Sequence, residues 1–412
     1  MQTLCTQTQM TTTILHVSDT HLGNRQYGSD ERREDYADAF EHAIQIAIEE
    51  EVDAVLHTGD LFDSKNPSLG TQIRCAQLIN RLEEDIDSPI PFLTIVGNHE
   101  RKRDHQFVDY IELSSEHLVR LENKDNKPHI VNDEVAVYGF DHIRQYLWET
   151  SDLTLQPTDG DYYNIVAMHQ LLHPPVPELL AEHSTCDMFE RFGIDTDALA
   201  LGDYHQRKQQ QVEDTFVYYP GSTEKTQKDD GPNHYVDILQ VEDGRLINHS
   251  RREIPTRDFL FIKVDLIEGI GGIEQVKDEL DSYEVAEKVV KVTLEGADVP
   301  ITRPRVHKLL QERDVTVSRV SDGRSDFEFD ADAVDYDIQD IETTLDDELN
   351  ELDLTHTARE VEEVVRTLSV PKSNIRAQAD DIVQKAAPGA VEAPESEGGE
   401  TNSETDGEGG EA

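Results

Sequence analysis

The chain has 412 residues and a formal net charge of −50, because 87 Asp and Glu residues stand against 37 Lys and Arg residues. This length predicts two or three domains, and the three widely spaced cysteines exclude a disulfide framework or a zinc knuckle. No apolar stretch approaches the roughly 20 residues that span a bilayer. The polar N-terminus also lacks the features of a secretory signal. We therefore expect a cytoplasmic protein that does not associate with membranes.

The acidic excess predicts a surface adapted to high salt, since the screening length falls to about 3 Å at 1 M ionic strength. A disordered acidic chain is the alternative, but clean apolar runs restrict that interpretation to the C-terminus. Acidity ordinarily disfavours nucleic acid as a ligand, because phosphates are bound by Lys and Arg. A saline cytosol weakens this argument, so composition neither supports nor excludes a DNA substrate.

Short apolar runs alternate with polar, helix-like stretches from residue 13 to about residue 250. The stretch "REDYADAFEHAIQIAIEEE" predicts the first helix, because its apolar residues share one helical face. Buried strands are predicted at "TILHVSD", "DAVLHTGD", "PFLTIVGN", "EVAVYGFD", "YNIVAMHQ" and "DALALGDY". Such alternation is typical of an α/β domain, here assigned to residues 13–250. The sequence "EDGR" at residues 242–245 predicts a hairpin near the end of this domain.

Three further segments follow a boundary near residues 251–258. Residues 256–322 predict a smaller α+β domain with the order strand, helix, strand, helix, strand. In residues 335–386, apolar residues at helical spacing predict two acidic helices, which either pack on their own domain or dock a partner. Residues 388–412 contain eight acidic residues and no basic ones, which predicts a disordered tail.

Five of the apolar runs end in side chains that can bind metal ions. These candidates are Asp19 and His21, Asp60, Asn98 and His99, His169, and finally Asp203 and His205. The carboxyl ends of strands form the active sites of open α/β folds, so the five segments are expected to converge. The two-residue spacing in Asp19-x-His21 and Asp203-x-His205 predicts ligands on one side of an extended segment.

The residue types at these strand ends indicate which metal chemistry they support. Carboxylate, imidazole and amide oxygen suit manganese, iron or zinc. Seven candidate ligands are more than one ion needs and predict two ions about 3.5–4 Å apart. Asp60 is the expected bridge, since a carboxylate offers one oxygen to each ion. Any one of these residues alone is typical of a cap or turn, whereas the ordered combination is specific. His57, inside a strand, is expected to be a core residue.

With these motifs the chain resembles the calcineurin-like metallophosphoesterase superfamily. The segments "HVSDTHLGNRQYG", "HTGDLFD", "IVGNHE" and "YYPGSTEK" resemble more specifically the Mre11/SbcD family of DNA-repair nucleases in an archaeal form. The resemblance covers about residues 13–225. It implies an α/β fold in which a two-sheet β-sandwich is flanked by helices, with a two-metal centre at the strand ends.

The resemblance also implies roles for the candidate residues, with two manganese ions per subunit. One ion would be bound by Asp19, His21, Asp60 and His205. The second would be bound by Asp60, Asn98, His169 and Asp203. His99 would protonate the leaving oxygen or steady the scissile phosphate.

Position 203 departs from the family pattern, which usually reads G-H-x-H where this chain has Gly-Asp-Tyr-His. Asp203 is either a working ligand, which a hard ion such as manganese accepts, or the mark of a weakened second metal position. We favour the working ligand, because every other ligand position is intact.

Basic residues near the motifs are candidates for contact with substrate phosphates. They are Arg25, Arg101, Lys102 and Arg103, with Arg32 and Arg33 as further possibilities. A solvated loop is an equally good explanation of such clusters.

The function implied by the resemblance is that of a manganese-dependent DNA nuclease with 3′-to-5′ exonuclease and single-strand endonuclease activity. It would act in double-strand-break repair, as a homodimer, with a Rad50-type SMC-like ATPase. Residues 256–322 would match the family's DNA-capping domain, and the helices in residues 335–386 would bind the ATPase. The chain contains no P-loop, so ATPase activity would belong to the partner. The alternatives are a small-substrate phosphoesterase and a DNA-tethering scaffold with a weakened metal site.

Overall fold

The computed structural model describes residues 11–84, 89–102, 105–112, 115, 117–122, 125–227 and 230–324. All of these residues belong to one compact unit, residues 1–327. The predicted C-terminal helices, the acidic tail and Arg103 lie outside the described residues.

The described residues form seventeen strands and six α-helices. The strands are β1 (Thr12–Val17), β2 (Ala54–His57), β3 (Phe92–Thr94), β4 (Leu118–Arg120), β5 (His129–Val131), β6 (Val135–Phe140), β7 (Tyr163–His169), β8 (Leu172–His173), β9 (His183–Ser184), β10 (Ala198–Gly202), β11 (Lys208–Val212), β12 (Thr215–Tyr219), β13 (His234–Glu242), β14 (Arg245–Ile254), β15 (Phe259–Leu266), β16 (Val289–Gly296) and β17 (Val317–Asp322). The helices are α1 (Asp30–Glu49), α2 (Leu69–Glu84), α3 (Phe107–Glu112), α4 (Thr185–Phe192), α5 (Gly272–Leu280) and α6 (Arg303–Gln311). Two short 3-10 helices lie at Gln26–Gly28 and Gln145–Thr150.

Two six-stranded sheets form the centre of the molecule. Their orders are β14-β13-β1-β2-β3-β4 and β11-β12-β10-β7-β6-β5. The middle strands of both sheets run parallel, while β13 and β14 in one sheet and β11 and β5 in the other pair antiparallel. Because the middle strands are parallel, their carboxyl ends lie at a common edge of each sheet.

Alternate residues along each strand face opposite sides of the sheet and build three layers of core. Leu56 of the first sheet and Ile165 of the second belong to the core between the sheets. Leu15 packs on the opposite side of the first sheet with residues of α1 and α2. Leu199 packs on the outer side of the second sheet with residues of α4. These layers confirm the predicted two-sheet sandwich flanked by helices.

Local sequence explains where the first helix and the hairpin begin and end. Helix α1 begins after Ser29, whose side chain accepts a hydrogen bond from the Arg32 amide, as in a typical N-cap. The predicted hairpin turn lies between β13 and β14. There Asp243 and Gly244 both have positive φ, 53° and 68°, which is the requirement of a type I′ turn.

The small sheet β15-β16-β17 is entirely parallel and alternates with α5 and α6. It has its own core, which includes Ile262, Val276, Val292 and Leu310. Helix α5 ends at Leu280, because Asp281 and Ser282 favour a turn there. In the described part of the chain, no helix has both the length and the apolar character needed to cross a membrane.

Candidate metal centre

The segments that follow five strands meet at one edge of the sandwich. Asp19 and His21 follow β1, Asp60 follows β2, Asn98 and His99 follow β3, His169 ends β7, and Asp203 and His205 follow β10. The first three segments come from one sheet and the last two from the other. The two sets meet where Nε2 of His169 lies 3.5 Å from Oδ2 of Asp60. The predicted convergence of these strand ends is present in the structure.

One group of donor atoms surrounds His21. Nε2 of His21 lies 3.3 Å from Nε2 of His205 and 3.8 Å from Oδ2 of Asp60. Nε2 of His205 lies 3.8 Å from Oδ1 of Asp19. Asp19, His21 and His205 together form a group that can hold a metal ion.

A second group surrounds His169, which is fully buried. Its Nε2 lies 3.7 Å from Oδ1 of Asp203 and 4.0 Å from Oδ1 of Asp19, in addition to the contact with Asp60. Oδ1 of Asn98 is also buried and has no hydrogen-bond partner among the described residues. Oδ2 of Asp60 lies near the imidazoles of both groups, as a bridging carboxylate requires.

The donor atoms fit a pair of divalent cations in number, type and spacing. Bonds of about 2.1 Å from an ion to its ligands separate neighbouring ligands by about 3 to 4 Å, and the observed separations run from 3.3 to 4.0 Å. Buried polar atoms normally have hydrogen-bond partners. Cations bound among these ligands would explain why the Asn98 oxygen has no hydrogen-bond partner. They would also explain why the imidazole nitrogens and carboxylate oxygens stay 3.5–4.0 Å apart.

The electrostatics of the centre also favour a cation. Burial raises the pKa of Asp203 to about 8 despite the nearby His169, and the charges of Glu182, Asp60 and Asp19 act in the same direction as burial. Burial likewise raises the pKa of Asp19. The fold thus buries two carboxyl groups, Asp19 and Asp203, and burial disfavours the ionised form of both. A divalent ion supplies a counter-charge and reverses both shifts.

The backbone at these ligands differs from the predicted extended geometry. Strand β1 ends at Val17, and Asp19 and His21 then adopt positive φ of 52° and 42°. Asp60 and Asp203 have φ of 53° and 83°. The prediction that two-residue spacing on an extended segment aligns these ligands is therefore wrong, because tight left-handed turns align them. Such conformations are uncommon for residues other than glycine and concentrate at functional sites.

Two glycines allow the segments to approach closely. A Cβ atom on Gly97 would lie 2.0 Å from Oδ1 of Asp60, and one on Gly202 would lie 2.3 Å from the carbonyl oxygen of Thr58. Any side chain at either position would displace a ligand or the backbone beside it. The glycine before Asn98 and the glycine before Asp203 are therefore part of the centre.

Hydrogen bonds fix the imidazoles of His169 and His205. Nδ1 of His169 donates to the carbonyl oxygen of Thr58 at 2.7 Å. Nδ1 of His205 contacts Oγ1 of Thr226 at 2.6 Å, and that hydroxyl donates to Oδ2 of Asp230 at 2.7 Å. Both rings are thereby held with the Nε2 lone pair directed at the centre, the usual arrangement behind a metal-bound histidine.

Glu100 connects the loops after β2 and β3. Its carboxylate accepts hydrogen bonds from the amides of Phe62 at 2.9 Å and Gly97 at 3.2 Å. Burial raises its pKa to about 7, and the charge of Asp60 adds to that effect.

Sequence reasoning missed Glu100, Thr226 and Asp230. The quoted segment "YYPGSTEK" ends one residue before Thr226, but nothing in its pattern indicates a contact with a histidine.

His99 lies at the rim of the centre with its side chain 21% exposed. Its Nδ1 donates to the carbonyl oxygen of Asp63 at 3.2 Å, and its Nε2 lies 3.9 Å from Oδ2 of Asp60. Burial opposes protonation, but the charges of Asp60 and Asp63 outweigh it and raise the pKa of His99. Asp63 also lies 3.7 Å from Nδ1 of His21, a proximity that the sequence did not reveal.

The predicted substrate-binding cations have different environments. Arg25 is exposed and lies 3.2 Å from Asp30. Arg101 is half-buried, and its Nη1 has no hydrogen-bond partner among the described residues. Lys102 lies over the ring of Phe107.

Two residues of uncertain role in the sequence are part of the interior. Arg32 is completely buried, so it is not available to a substrate in solution. His57 is also buried, with its ring between Phe40 and Phe92, as expected for a core histidine.

The fold and the metal-ligand cluster define a metallophosphoesterase. A family model described as calcineurin-like phosphoesterase matches residues 12–207. Enzymes of this class use a dinuclear metal site and hydrolyse phosphoester bonds, and the converging side chains are candidate ligands for such a site. Among solved structures, a dimetal phosphatase from Danio rerio is 13% identical with a TM-score of 0.39, and the match covers 59% of this chain and 99% of that chain.

Relatives at higher identity narrow the class. The DNA double-strand break repair protein Mre11 of Haloferax volcanii is 34% identical over 375 residues, which are 90% of this chain and 81% of the relative. The protein of the same name from Halobacterium salinarum is 32% identical over 378 residues, 90% of this chain and 93% of the relative. The chain therefore belongs to the Mre11 family of DNA double-strand break repair nucleases. The acidic composition fits these haloarchaeal relatives.

Proposed function

We propose that the chain is a manganese-dependent DNA nuclease with 3′-to-5′ exonuclease and single-strand endonuclease activity. The observation that carries the proposal is that metal-ligand side chains from four strand ends meet at one edge of the sandwich. These are Asp19, His21, Asp60, His169 and His205, with Asp203 beside His169. Membership of the Mre11 family supports DNA as the substrate and double-strand-break repair as the process.

We propose two ligand sets, and the distances among their carboxylate and imidazole atoms support them. Asp19, His21, Asp60 and His205 would hold one manganese ion. Asp60, Asn98, His169 and Asp203 would hold the other. When bound, such a pair supplies an activated water and neutralises charge on the phosphate that is attacked. The hard carboxylates and the absence of any thiolate from these sets favour manganese.

The chain's own residues orient the reacting groups. The charges of Asp60 and Asp63 favour the protonated form of His99 at the rim, where it would donate to the oxygen that leaves the phosphate. The backbone amide of His99 donates to Oδ1 of Asp60 at 3.0 Å, which fixes the bridging carboxylate and the acid relative to each other. Glu100 holds the loops that carry both residues. Arg25, Arg101, Lys102 and Arg103 would contact DNA phosphates.

The organisation of the rest of the chain belongs to the same proposal. Residues 13–250 would form the nuclease domain and residues 256–322 a DNA-capping domain. Residues 335–386 would bind a Rad50-type ATPase, residues 388–412 would form an acidic tail, and the nuclease would act in the cytoplasm as a homodimer. The family name of the relatives and the extent of the match support this organisation.

The test uses labelled single- and double-stranded DNA in multimolar KCl with manganese. We expect hydrolysis by the wild type and a rate about 10²- to 10⁴-fold lower for His99→Ala, the usual loss when a general acid is removed. His42→Ala is the matched control, because His42 is exposed on α1 outside the centre, and it should cut at the wild-type rate.

Three outcomes would contradict the proposal. Cleavage of small phosphate esters but never of DNA would identify a small-substrate phosphoesterase. Binding of DNA without hydrolysis would identify a tethering scaffold. Hydrolysis by His99→Ala at the wild-type rate would remove His99 from the chemistry.

A further inference from the structure

Thr226, which is not one of the proposed metal ligands, determines which ring nitrogen of His205 carries the proton. Oγ1 of Thr226 donates its only hydrogen to Oδ2 of Asp230 at 2.7 Å. It must therefore accept the hydrogen bond that it shares with Nδ1 of His205 at 2.6 Å. This places the ring proton on Nδ1 and leaves the Nε2 lone pair facing Asp19 and His21.

Asp230 holds Thr226 through the backbone as well as the side chain. Its Oδ2 also accepts from the amides of Thr226 at 2.9 Å and Gln227 at 2.7 Å. The carbonyl oxygen of Asp230 accepts from Nζ of Lys225. The orientation of the Thr226 hydroxyl therefore depends on where Lys225 lies in the fold.

Lys225 is bound from the other side by residues of α1. Its carbonyl oxygen accepts from Nη2 of Arg32 at 3.1 Å and from the Tyr36 hydroxyl at 3.1 Å. Arg32 and Tyr36 are both fully buried. Gln26 adds a second route, since it accepts from Nε of Arg32 at 3.0 Å and donates to the carbonyl oxygen of Thr226 at 2.6 Å.

The same arginine contacts the small subdomain, residues 256–322. The Arg32 guanidinium lies 4.8 Å from the centre of the Phe259 ring on β15. Asp35 accepts from Arg32 at 2.7 Å and binds Arg257 through both carboxylate oxygens at 2.7 and 2.8 Å. Arg257 in turn donates to the carbonyl oxygen of Glu287 at 2.9 Å, within the subdomain.

We propose that Thr226 is a positioning residue for His205 and that the small subdomain holds it in place through Arg257, Asp35, Arg32 and Lys225. The affinity of the centre for metal then depends on how the subdomain is seated. This inference rests on the proposed function only in taking His205 as a metal ligand. It assigns to the buried arginine network a control over metal binding, beyond its contribution to stability.

The first experiment replaces the hydroxyl and leaves the loop intact. Thr226→Val removes the acceptor for His205, while Asp230 keeps its two amide donors, so the loop should still fold. We expect manganese, measured by calorimetric titration, to bind about 10- to 100-fold more weakly, the usual effect of losing such a partner. Thr226→Ser keeps the hydroxyl and should restore wild-type affinity.

A control variant and a measurement without metal distinguish the positioning role of Thr226 from a general loss of structure. Thr215→Val is the matched control, because buried Thr215 makes one side-chain hydrogen bond, at 2.7 Å to the Thr196 carbonyl, away from the centre. In the metal-free protein with ¹⁵N-labelled histidine, NMR should show His205 protonated on Nδ1. Thr226→Val should give a mixture of both tautomers, whereas Thr215→Val should not change the spectrum.

The second experiment tests the link to the subdomain. Arg257→Gln removes the bidentate contact, and Asp35 keeps its bond to Arg32. We expect manganese binding to weaken by about 2- to 30-fold, the range of coupling through packed networks. Arg252→Gln is the matched control, since Arg252 makes a comparable pair with Glu50 and has no contact with this network. Combined with Thr226→Val, Arg257→Gln should add little, because both act on one path.

The outcomes distinguish this inference from the proposed function. If the wild type binds manganese and cuts DNA but Thr226→Val matches it in affinity and tautomer, the positioning role is refuted while the nuclease stands. Equal losses for Arg257→Gln and Arg252→Gln would refute the link to the subdomain. A wild type that binds no manganese would instead contradict the proposed function.

Discussion

Replacing Gly97 by alanine should disable the bridging carboxylate. The added Cβ would lie 2.0 Å from Oδ1 of Asp60, 2.3 Å from its backbone nitrogen and 2.7 Å from its Cγ. Real Cβ atoms essentially never approach a heavy atom closer than 3.0 Å. Oδ1 must therefore move by about 1 Å, the difference between 3.0 and 2.0 Å. The Asp60 backbone nitrogen cannot move away by rotation of a side chain, so the backbone itself would have to shift.

The size of the effect follows from the spacing of the donor atoms. Misplacement of a catalytic group by about 1 Å costs on the order of 10²-fold in rate, and Asp60 would serve both ions. We expect Gly97→Ala to lose at least that factor in nuclease rate and to bind manganese with lower stoichiometry or affinity. Overpacking should also lower the free energy of unfolding by about 1–3 kcal/mol.

The assay must separate the centre from the fold. Calorimetric titration reports manganese binding, and urea denaturation in EDTA reports stability without metal. Gly70→Ala is the control, because a Cβ there meets nothing closer than Oγ of Ser68 at 3.8 Å. A Gly97→Ala protein with wild-type manganese affinity and rate would refute the argument that this glycine exists to admit Asp60.

Three further predictions concern the ligands, the metal and pH. Asp203→Ala should weaken manganese binding at one of the two sites by about 10-fold or more, whereas Asp203→His should retain both sites in the same titration. If both variants bind manganese like the wild type, Asp203 is not a ligand. Chelation by EDTA should lower the free energy of unfolding, since ions at a hundredfold excess over Kd contribute about 2.7 kcal/mol per site; a thermal midpoint unaffected by manganese would contradict this. Burial lowers the pKa of His16 to about 3, so the unfolded chain, with a pKa near 6.5, binds a proton that the folded chain does not. The contribution of His16 to stability in EDTA should therefore be complete above pH 6.5 and decrease toward pH 3, by on the order of 1 kcal/mol at pH 5.5. His16→Gln should remove that part of the pH dependence in urea titrations.

The sequence predicted most of the ligand cluster for a physical reason. A buried strand that ends in glycine and a metal-ligand side chain, as at Gly59-Asp60 and Gly202-Asp203, leaves that side chain at the sheet edge. Parallel strands bring such ends together, so five separate segments could be assigned to one centre. The layered fold followed from the same alternation of apolar runs and helical stretches.

Other features depend on contacts that no local pattern records. The left-handed turns at Asp19 and His21 replace the extended geometry that the spacing predicted. Arg32 belongs to a basic cluster in sequence, yet it is buried because Glu224, 3.1 Å away, and Phe259 are distant in the chain but adjacent in the fold. Thr226 follows a motif that resembles the family, but its contact with His205 exists only once β10 and the loop after β12 are placed together.

Asp203 shows how an acidic substitution changes the balance of the centre. In place of the family's second imidazole it adds a carboxylate beside Asp19 and Asp60, and without metal its pKa rises to about 8 because of burial and these neighbours. Ionised Asp203 therefore destabilises the metal-free state. A bound cation removes this repulsion, which a neutral histidine at the same position would not create. The added negative charge also repels the phosphate of a substrate, an effect that high salt and the second cation reduce. We therefore expect Asp203 to favour tight binding of a hard cation at the expense of the metal-free protein, as a working ligand would.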